Sequence, residues 1–163
     1  MNYLLVIDMQ EDYLEVKNQK KPSYETSKLV TGINEKIAEY PQENVVYIMN
    51  QFFFEKKSTV KKPVKGLKVV SDKVFIKRKQ DSFSNKELLK FLKDKKVSQL
   101  EIVGIDGNYC VLKTALGAAN NGFQVTVDID NVGIKNEKKF LSSKNVLKQK
   151  GIKIKSKQEE EQC

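Results

Sequence analysis

The sequence predicts a three-layer α/β domain built on a parallel sheet of about six strands. Three observations carry this expectation. Short apolar runs alternate along the chain with segments of helical period, the pattern of β-α-β units. The first run is apolar throughout, as a strand covered on both faces requires. A length of 163 residues suits one domain that can bury a full core without disulfides or a structural metal.

The elements follow in order. Tyr3-Leu4-Leu5-Val6-Ile7 is the first strand. Lys21-Pro22-Ser23 reads as a helix start, and Leu29, Val30, Ile33 and Ile37 recur at helical spacing up to about Tyr40, where Pro41 ends the helix. Val45-Val46-Tyr47-Ile48-Met49 is the second strand. Phe54 to Ser71 is Lys-rich, broken by Pro63 and Gly66, and reads as a long surface loop. Val74-Phe75-Ile76 forms a third strand. Ser84-Asn85-Lys86-Glu87 has the form of a capping box ahead of a helix with Leu88, Leu89, Phe91 and Leu92 inward, running to about Lys95.

Leu100 to Ile105 is the fourth strand. Asn108 can cap the next helix, which carries Cys110, Val111, Thr114 and Ala115 and ends at Asn120-Asn121-Gly122. Phe123 to Val127 is the fifth strand, Glu137 to Lys148 a helix with Phe140, Leu141 and Leu147 inward, and Ile152-Lys153-Ile154 a sixth strand. The domain is expected over residues 1–155, with 156–163 a polar, disordered tail.

Composition narrows the chemistry. The chain has no His, which excludes Ser-His-Asp and Cys-His catalysis and any imidazole metal ligand. Two Cys far apart, Cys110 and Cys163, argue against a structural zinc. No run approaches the length of a membrane span and no signal peptide is evident, so a cytoplasmic protein without a membrane partner is expected. The formal charge of +9 is carried almost wholly by dispersed Lys, with Arg at position 78 alone, which argues against a dedicated nucleic-acid role.

In open α/β sheets functional residues lie beyond the carboxyl ends of the strands. Asp8 follows the first strand, although a turn residue would stand there too. Lys77 follows the third, within a basic run of ordinary surface type, Lys77-Arg78-Lys79. Cys110 falls in the first turn of the helix after the fourth strand, where the helix N-terminus is expected to lower the thiol pKa. If an acid, an ammonium and a thiol converge, the carboxylate is the available base, and acyl transfer through a thioester follows.

Three blocks resemble the isochorismatase-like cysteine hydrolases, the family of the nicotinamidases and N-carbamoylsarcosine amidohydrolase. They are Leu4-Leu5-Val6-Ile7-Asp8-Met9-Gln10-Glu11-Asp12-Tyr13, then Lys77 with Phe83 six residues on, then Gly104-Ile105-Asp106-Gly107-Asn108-Tyr109-Cys110-Val111 continuing through Thr114-Ala115, Ala118 and Gly122-Phe123. The resemblance implies Asp8 as base, Lys77 as electrostatic partner and Cys110 as nucleophile. It also implies a cis peptide at Ile105–Asp106 and an oxyanion hole from the backbone N–H groups of Asp106 and Cys110. Tyr13, Phe83 and Tyr109 are the expected substrate contacts. The partner is then a small-molecule substrate with an amide-like C–N bond, and a homo-oligomer, dimer or tetramer, is expected.

Relatives of the nicotinamidase type carry a metal held by an Asp and His residues after the second strand. Met49-Asn50-Gln51-Phe52 stands there in this chain, so no metal or other cofactor is expected. Cys110 points to the amidase-like branch, because cleavage of a vinyl ether in this family needs no thiol. Two other readings stay open. A ligand-binding or scaffold protein without turnover is motivated by the missing His ligands, by the short length for the family and by Asp106, whose carboxylate beside an oxyanion hole would repel a developing oxyanion unless it turns away or is protonated. Polyanion binding by the Lys56 to Lys68 loop is motivated by charge. Phe52-Phe53-Phe54 suits a subunit interface, a pocket wall or the core.

Overall fold

A computed structural model describes residues 1–15 and 23–161. The expected helix start at Lys21-Pro22 and the tail thiol Cys163 lie outside the described residues. The strands are β1 (Asn2–Ile7), β2 (Val45–Asn50), β3 (Val74–Lys77), β4 (Gln99–Ile105), β5 (Gln124–Gly133) and β6 (Lys153–Lys155). The helices are α1 (Glu11–Leu14), α2 (Thr26–Ala38), α3 (Lys86–Asp94), α4 (Cys110–Asn120), α5 (Glu137–Gln149) and α6 (Lys157–Glu160).

All strands pair in parallel in one sheet of order β3-β2-β1-β4-β5-β6. The chain steps outward from β1 to β3 and then returns to place β4 on the free edge of β1. That reversal opens a crevice above the carboxyl ends of β1 and β4. Side chains of β1 alternate between two cores. Tyr3, Leu5 and Ile7 pack with Leu88 and Leu92 of α3, Val111 and Ala115 of α4 and Leu147 of α5, while Leu4 and Val6 pack with Leu29, Ile33 and Ile37 of α2. Burial on both faces explains why β1 is apolar at every position from Tyr3 to Ile7 rather than at every second one.

Gly104 of β4 pairs with Ile7 of β1. Its φ is +118°, and a Cβ there would collide with the Ile7 carbonyl oxygen. Glycine alone meets both demands. No helix among the described residues is long and apolar enough to cross a membrane.

The structure departs from the sequence reading at several local points. Strand β5 runs six residues past Val127, through Asp128 and Asn131, because those buried polar groups are satisfied internally: Lys36 Nζ lies 3.4 Å from Asp128 Oδ2, and Asn131 donates to the same oxygen at 2.9 Å. Helix α3 is capped by Asn85, whose side chain accepts from the Glu87 amide at 2.9 Å, while Ser84 Oγ turns back to the Asp81 carbonyl. The capping box on Ser84 does not form. Asn108 does not cap α4; it bridges to Ser143 and the Asn136 carbonyl instead. Leu141 faces solvent, and the helix α5 core contacts are Phe140 and Leu147. The segment expected as a disordered tail begins with a short helix, α6, capped by the Ser156 side chain.

Candidate active site

Asp8 is the first residue after β1 and adopts φ 54°, the left-handed region that is strained for a non-glycine residue. Its amide donates to the Ile48 carbonyl at 2.9 Å and its carbonyl accepts from the Gln10 amide at 2.9 Å, so the backbone is held from both sides. In this conformation the carboxylate meets Lys77 at the sheet edge. Lys77 ends β3, one strand further away than simple adjacency would place it, since β2 lies between β1 and β3. Its long side chain crosses the end of β2 to reach the site.

The Lys77 ammonium has three hydrogens and three acceptors. It donates to Asp8 Oδ2 at 3.0 Å, to Asn50 Oδ1 at 3.1 Å and to Cys110 Sγ at 3.3 Å. Lys77 and Asp8 are 1% and 2% exposed, so this is a buried ion pair rather than part of a basic surface run. Cys110 opens α4, and its sulfur is half-buried against the pair. The structure thus brings together the acid, the ammonium and the thiol expected from the sequence, and adds Asn50.

Burial sets the titration of the site. It pushes the Asp8 carboxyl up from the ordinary carboxylate value, against the pull of the Lys77 charge. It pushes the Cys110 thiol up to about 12, helped by the Asp8 charge and only partly offset by Lys77. The expectation of a thiol lowered by the helix N-terminus is therefore reversed: desolvation outweighs the helix field. A neutral thiol beside an Asp8–Lys77 pair is the low-energy arrangement.

The peptide bond between Ile105 and Asp106 is cis. Both oxygens of the Asp106 carboxylate are engaged. Oδ1 accepts from the Asn108 amide at 2.8 Å, and Oδ2 accepts from the Tyr24 hydroxyl and the Lys135 amide, both at 3.0 Å. The carboxylate charge is thus spread over three donors rather than left unpaired beside the sulfur. Cys110, as the first residue of α4, has an amide with no helical carbonyl to receive it.

The expected substrate contacts divide. Tyr13 is half-buried beside the cluster, its hydroxyl accepting from Asn50 Nδ2 at 3.1 Å. Tyr109 is 42% exposed, with Lys139 over its ring. Phe83 belongs to the core instead: it is 3% exposed and its ring centroid lies 5.8 Å from that of Phe123. The turn at Ser82–Ser84, closed by the Asp81 side chain and the Ser82–Thr114 hydrogen bonds, points it inward.

A model of the isochorismatase domain matches residues 2–159. The chain belongs to the isochorismatase family. As an isochorismatase-family hydrolase it shares its fold with several solved structures. These include an isochorismatase-like hydrolase from Alkaliphilus metalliredigens (TM-score 0.75, 20% identity, 94% of this chain and 92% of that one). PnC1 from L. infantum in complex with nicotinate gives TM-score 0.76 at 20% identity over 95% and 92% of the two chains. The pyrazinamidase of Pyrococcus horikoshii in complex with zinc gives 0.71 at 23% identity over 95% and 98%. No curated protein matches the chain.

The described residues of this isochorismatase-family chain offer no ligand set of the kind that holds zinc. The chain has no His, and among the described residues no group of three or more His, Cys, Asp or Glu can hold a metal. The nearby carboxylates of Asp12 and Glu55 are taken by Lys61, at 2.8 and 2.7 Å. That ammonium, expected to sit on a polyanion-binding loop, is internal.

Two further features escaped the sequence reading. Arg78 is not surface charge: it donates to the Phe52, Phe53 and Glu55 carbonyls and to Gln51 Oε1, shaping the loop after β2. Within that loop Phe52 packs edge-on to Tyr13 at 5.7 Å, while Phe53 and Phe54 are exposed. Asn50 carried a legible signal, since it ends a strand at the same sheet edge as Lys77. Two concavities of about 640 and 840 Å³ elsewhere on the surface are lined by none of Asp8, Lys77 and Cys110.

Proposed function

We propose that this chain is a cysteine hydrolase that cleaves the C–N bond of a small amide without a metal. The observation that carries the reading is the Lys77 ammonium held simultaneously against Asp8 and Cys110. Direct ionisation of the thiol would leave a net negative charge in a buried site. Transfer of its proton to Asp8 instead conserves the net charge, because a carboxylate and a thiol become a carboxylic acid and a thiolate beside the same ammonium. Lys77 engages Asp8 Oδ2, which leaves the buried Oδ1 without a donor from nitrogen, and the Cys110 thiol interacts with this carboxylate, so Oδ1 is the oxygen suited to take that proton.

The thiolate then attacks the carbonyl carbon. The carbonyl electron pair moves to oxygen, which the N–H groups of Asp106 and Cys110 stabilise as an oxyanion. Collapse breaks the C–N bond, and the leaving nitrogen takes the proton from Asp8. Asp8, a carboxylate again, removes a proton from water as it attacks the thioester, and the regenerated thiol and a carboxylic acid complete the cycle. Amide and water enter; acid and amine leave.

The test is a panel of small primary amides followed by release of ammonia. Turnover of at least one member, abolished by both Cys110→Ala and Asp8→Ala in folded protein, is the expected result. Turnover that survives Cys110→Ala would overturn the thioester route, and no turnover across the panel would overturn the amidase reading.

A further inference from the structure

The pairing of Asn50 with both Lys77 and Tyr13 has a directional consequence. An ammonium can only donate, so the Asn50 group facing Lys77 must be the carbonyl oxygen. The amide nitrogen is thereby forced towards Tyr13, whose oxygen accepts from it at 3.1 Å. A hydroxyl that accepts there has its own hydrogen left over, and no acceptor for it is found among the described residues. The Asn50 backbone is itself fixed, its N–H donating to Gln10 Oε1 at 2.7 Å and its C=O accepting from Gln10 Nε2 at 2.9 Å. Neither end of the relay can reverse while Lys77 stays charged.

We propose that Asn50 is a positioning residue that makes the Tyr13 hydroxyl an obligate donor into the site, so that the substrate carries a second hydrogen-bond acceptor besides its scissile carbonyl. The inference rests on the amidase reading for the word substrate, while the donor itself is a property of the binding site. A ring or chain with a lone pair one group away from the amide satisfies the donor. An apolar group of the same shape covers it without pairing it, which weakens binding about tenfold or more.

Binding is measured on Cys110→Ala protein, which cannot turn over, by calorimetric titration with benzamide and the three pyridinecarboxamide isomers. These match benzamide in shape and differ by one in-plane acceptor. At least one isomer is expected to bind about tenfold more tightly than benzamide. Tyr13→Phe in the same background should bring that ratio to about one. Asn50→Asp should do so too, because a carboxylate at that position accepts the Tyr13 proton and turns it out of the site. Should that variant fail to fold, Asn50→Ser, too short to reach Tyr13, is expected to give the same loss.

A second measurement separates positioning from general loosening. The groups facing the Cys110 sulfur are Asp8 after β1, Lys77 of β3, and, at longer range, Tyr13 of α1 and Tyr24. A second carboxylate on Lys77 withdraws its support from the thiolate, so iodoacetamide labelling of the Cys110 peptide at pH 9 should slow about tenfold in Asn50→Asp with Cys110 present. A loosened site would do the opposite and label faster, towards the rate of the unfolded chain. The proposal is overturned if no isomer exceeds benzamide, if the preference survives Tyr13→Phe, or if Asn50→Asp labels faster than the native chain. Failure of the amide panel alone removes the hydrolase reading and leaves these binding ratios to be read.

Discussion

Replacing Lys77 with Met keeps most of the side-chain volume and removes the charge that faces Asp8. At 3.0 Å and an effective dielectric near 20, the attraction lost is about 5 to 6 kcal/mol before desolvation is counted. The net cost of orphaning a buried partner is about 3 to 5 kcal/mol. Asp8 has an escape, since it can take up a proton. From an ordinary value of 3.8, protonation at pH 7 costs about 4 kcal/mol and at pH 5 about 2, so the destabilisation cannot exceed those figures. The sign follows from the direction of the shift. A carboxyl raised in the folded state contributes stability that is present below its unfolded pKa and lost as pH rises through its folded pKa. Without Lys77 the folded value moves higher still, so the loss continues to higher pH in the variant. Urea unfolding of both proteins between pH 5 and 8 should show a stability difference that grows with pH, by up to about 1.4 kcal/mol per unit, towards about 4 kcal/mol at pH 7. Turnover should fall by about two to three orders of magnitude. A stability difference constant across that range, or one that shrinks as pH rises, would refute the buried ion pair.

Four further substitutions test the framework. Gly104→Ala places a Cβ against the Ile7 carbonyl oxygen at a positive φ, and its urea midpoint should drop by the equivalent of about 4 kcal/mol or more, up to failure to fold. Lys36→Met leaves Glu101 and Asp128 uncompensated in the interior and should cost about 3 to 5 kcal/mol in the same assay, with kcat per folded molecule retained because the cluster is remote from Cys110. Asn85→Ala should cost about 1 kcal/mol as the loss of the α3 cap. Ser84→Ala, if it were the more costly of the two, would return the cap to the position read from the sequence.

Much of the architecture is legible in local pattern. The unbroken apolar run of β1 and the helical spacing of Leu29, Val30, Ile33 and Ile37 report burial directly, because each side chain has one environment set by its own element. Asp8 and Cys110 were legible for a topological reason: a polar residue just past a buried strand stands at the edge where parallel sheets open their crevice. Phe83 misled because an aromatic beside a motif reads alike whether it faces a ligand or a neighbouring helix. The end of β5 misled because Asp128 and Asn131 look like solvent-facing residues until Lys36 of another element is brought against them.

What the sequence determined alone was the fold class, the order of the elements and the chemical types available at the strand ends, all consequences of periodicity and of residue chemistry. Tertiary structure decided what those groups became. Burial raised the Cys110 thiol where its helix position argued for lowering it, the Tyr24 and Lys135 donors tied down the Asp106 carboxylate, and the crossing of β2 by Lys77 recruited Asn50. Each is a balance of desolvation against partners drawn from distant segments, and a balance of that kind exists only once the segments have met.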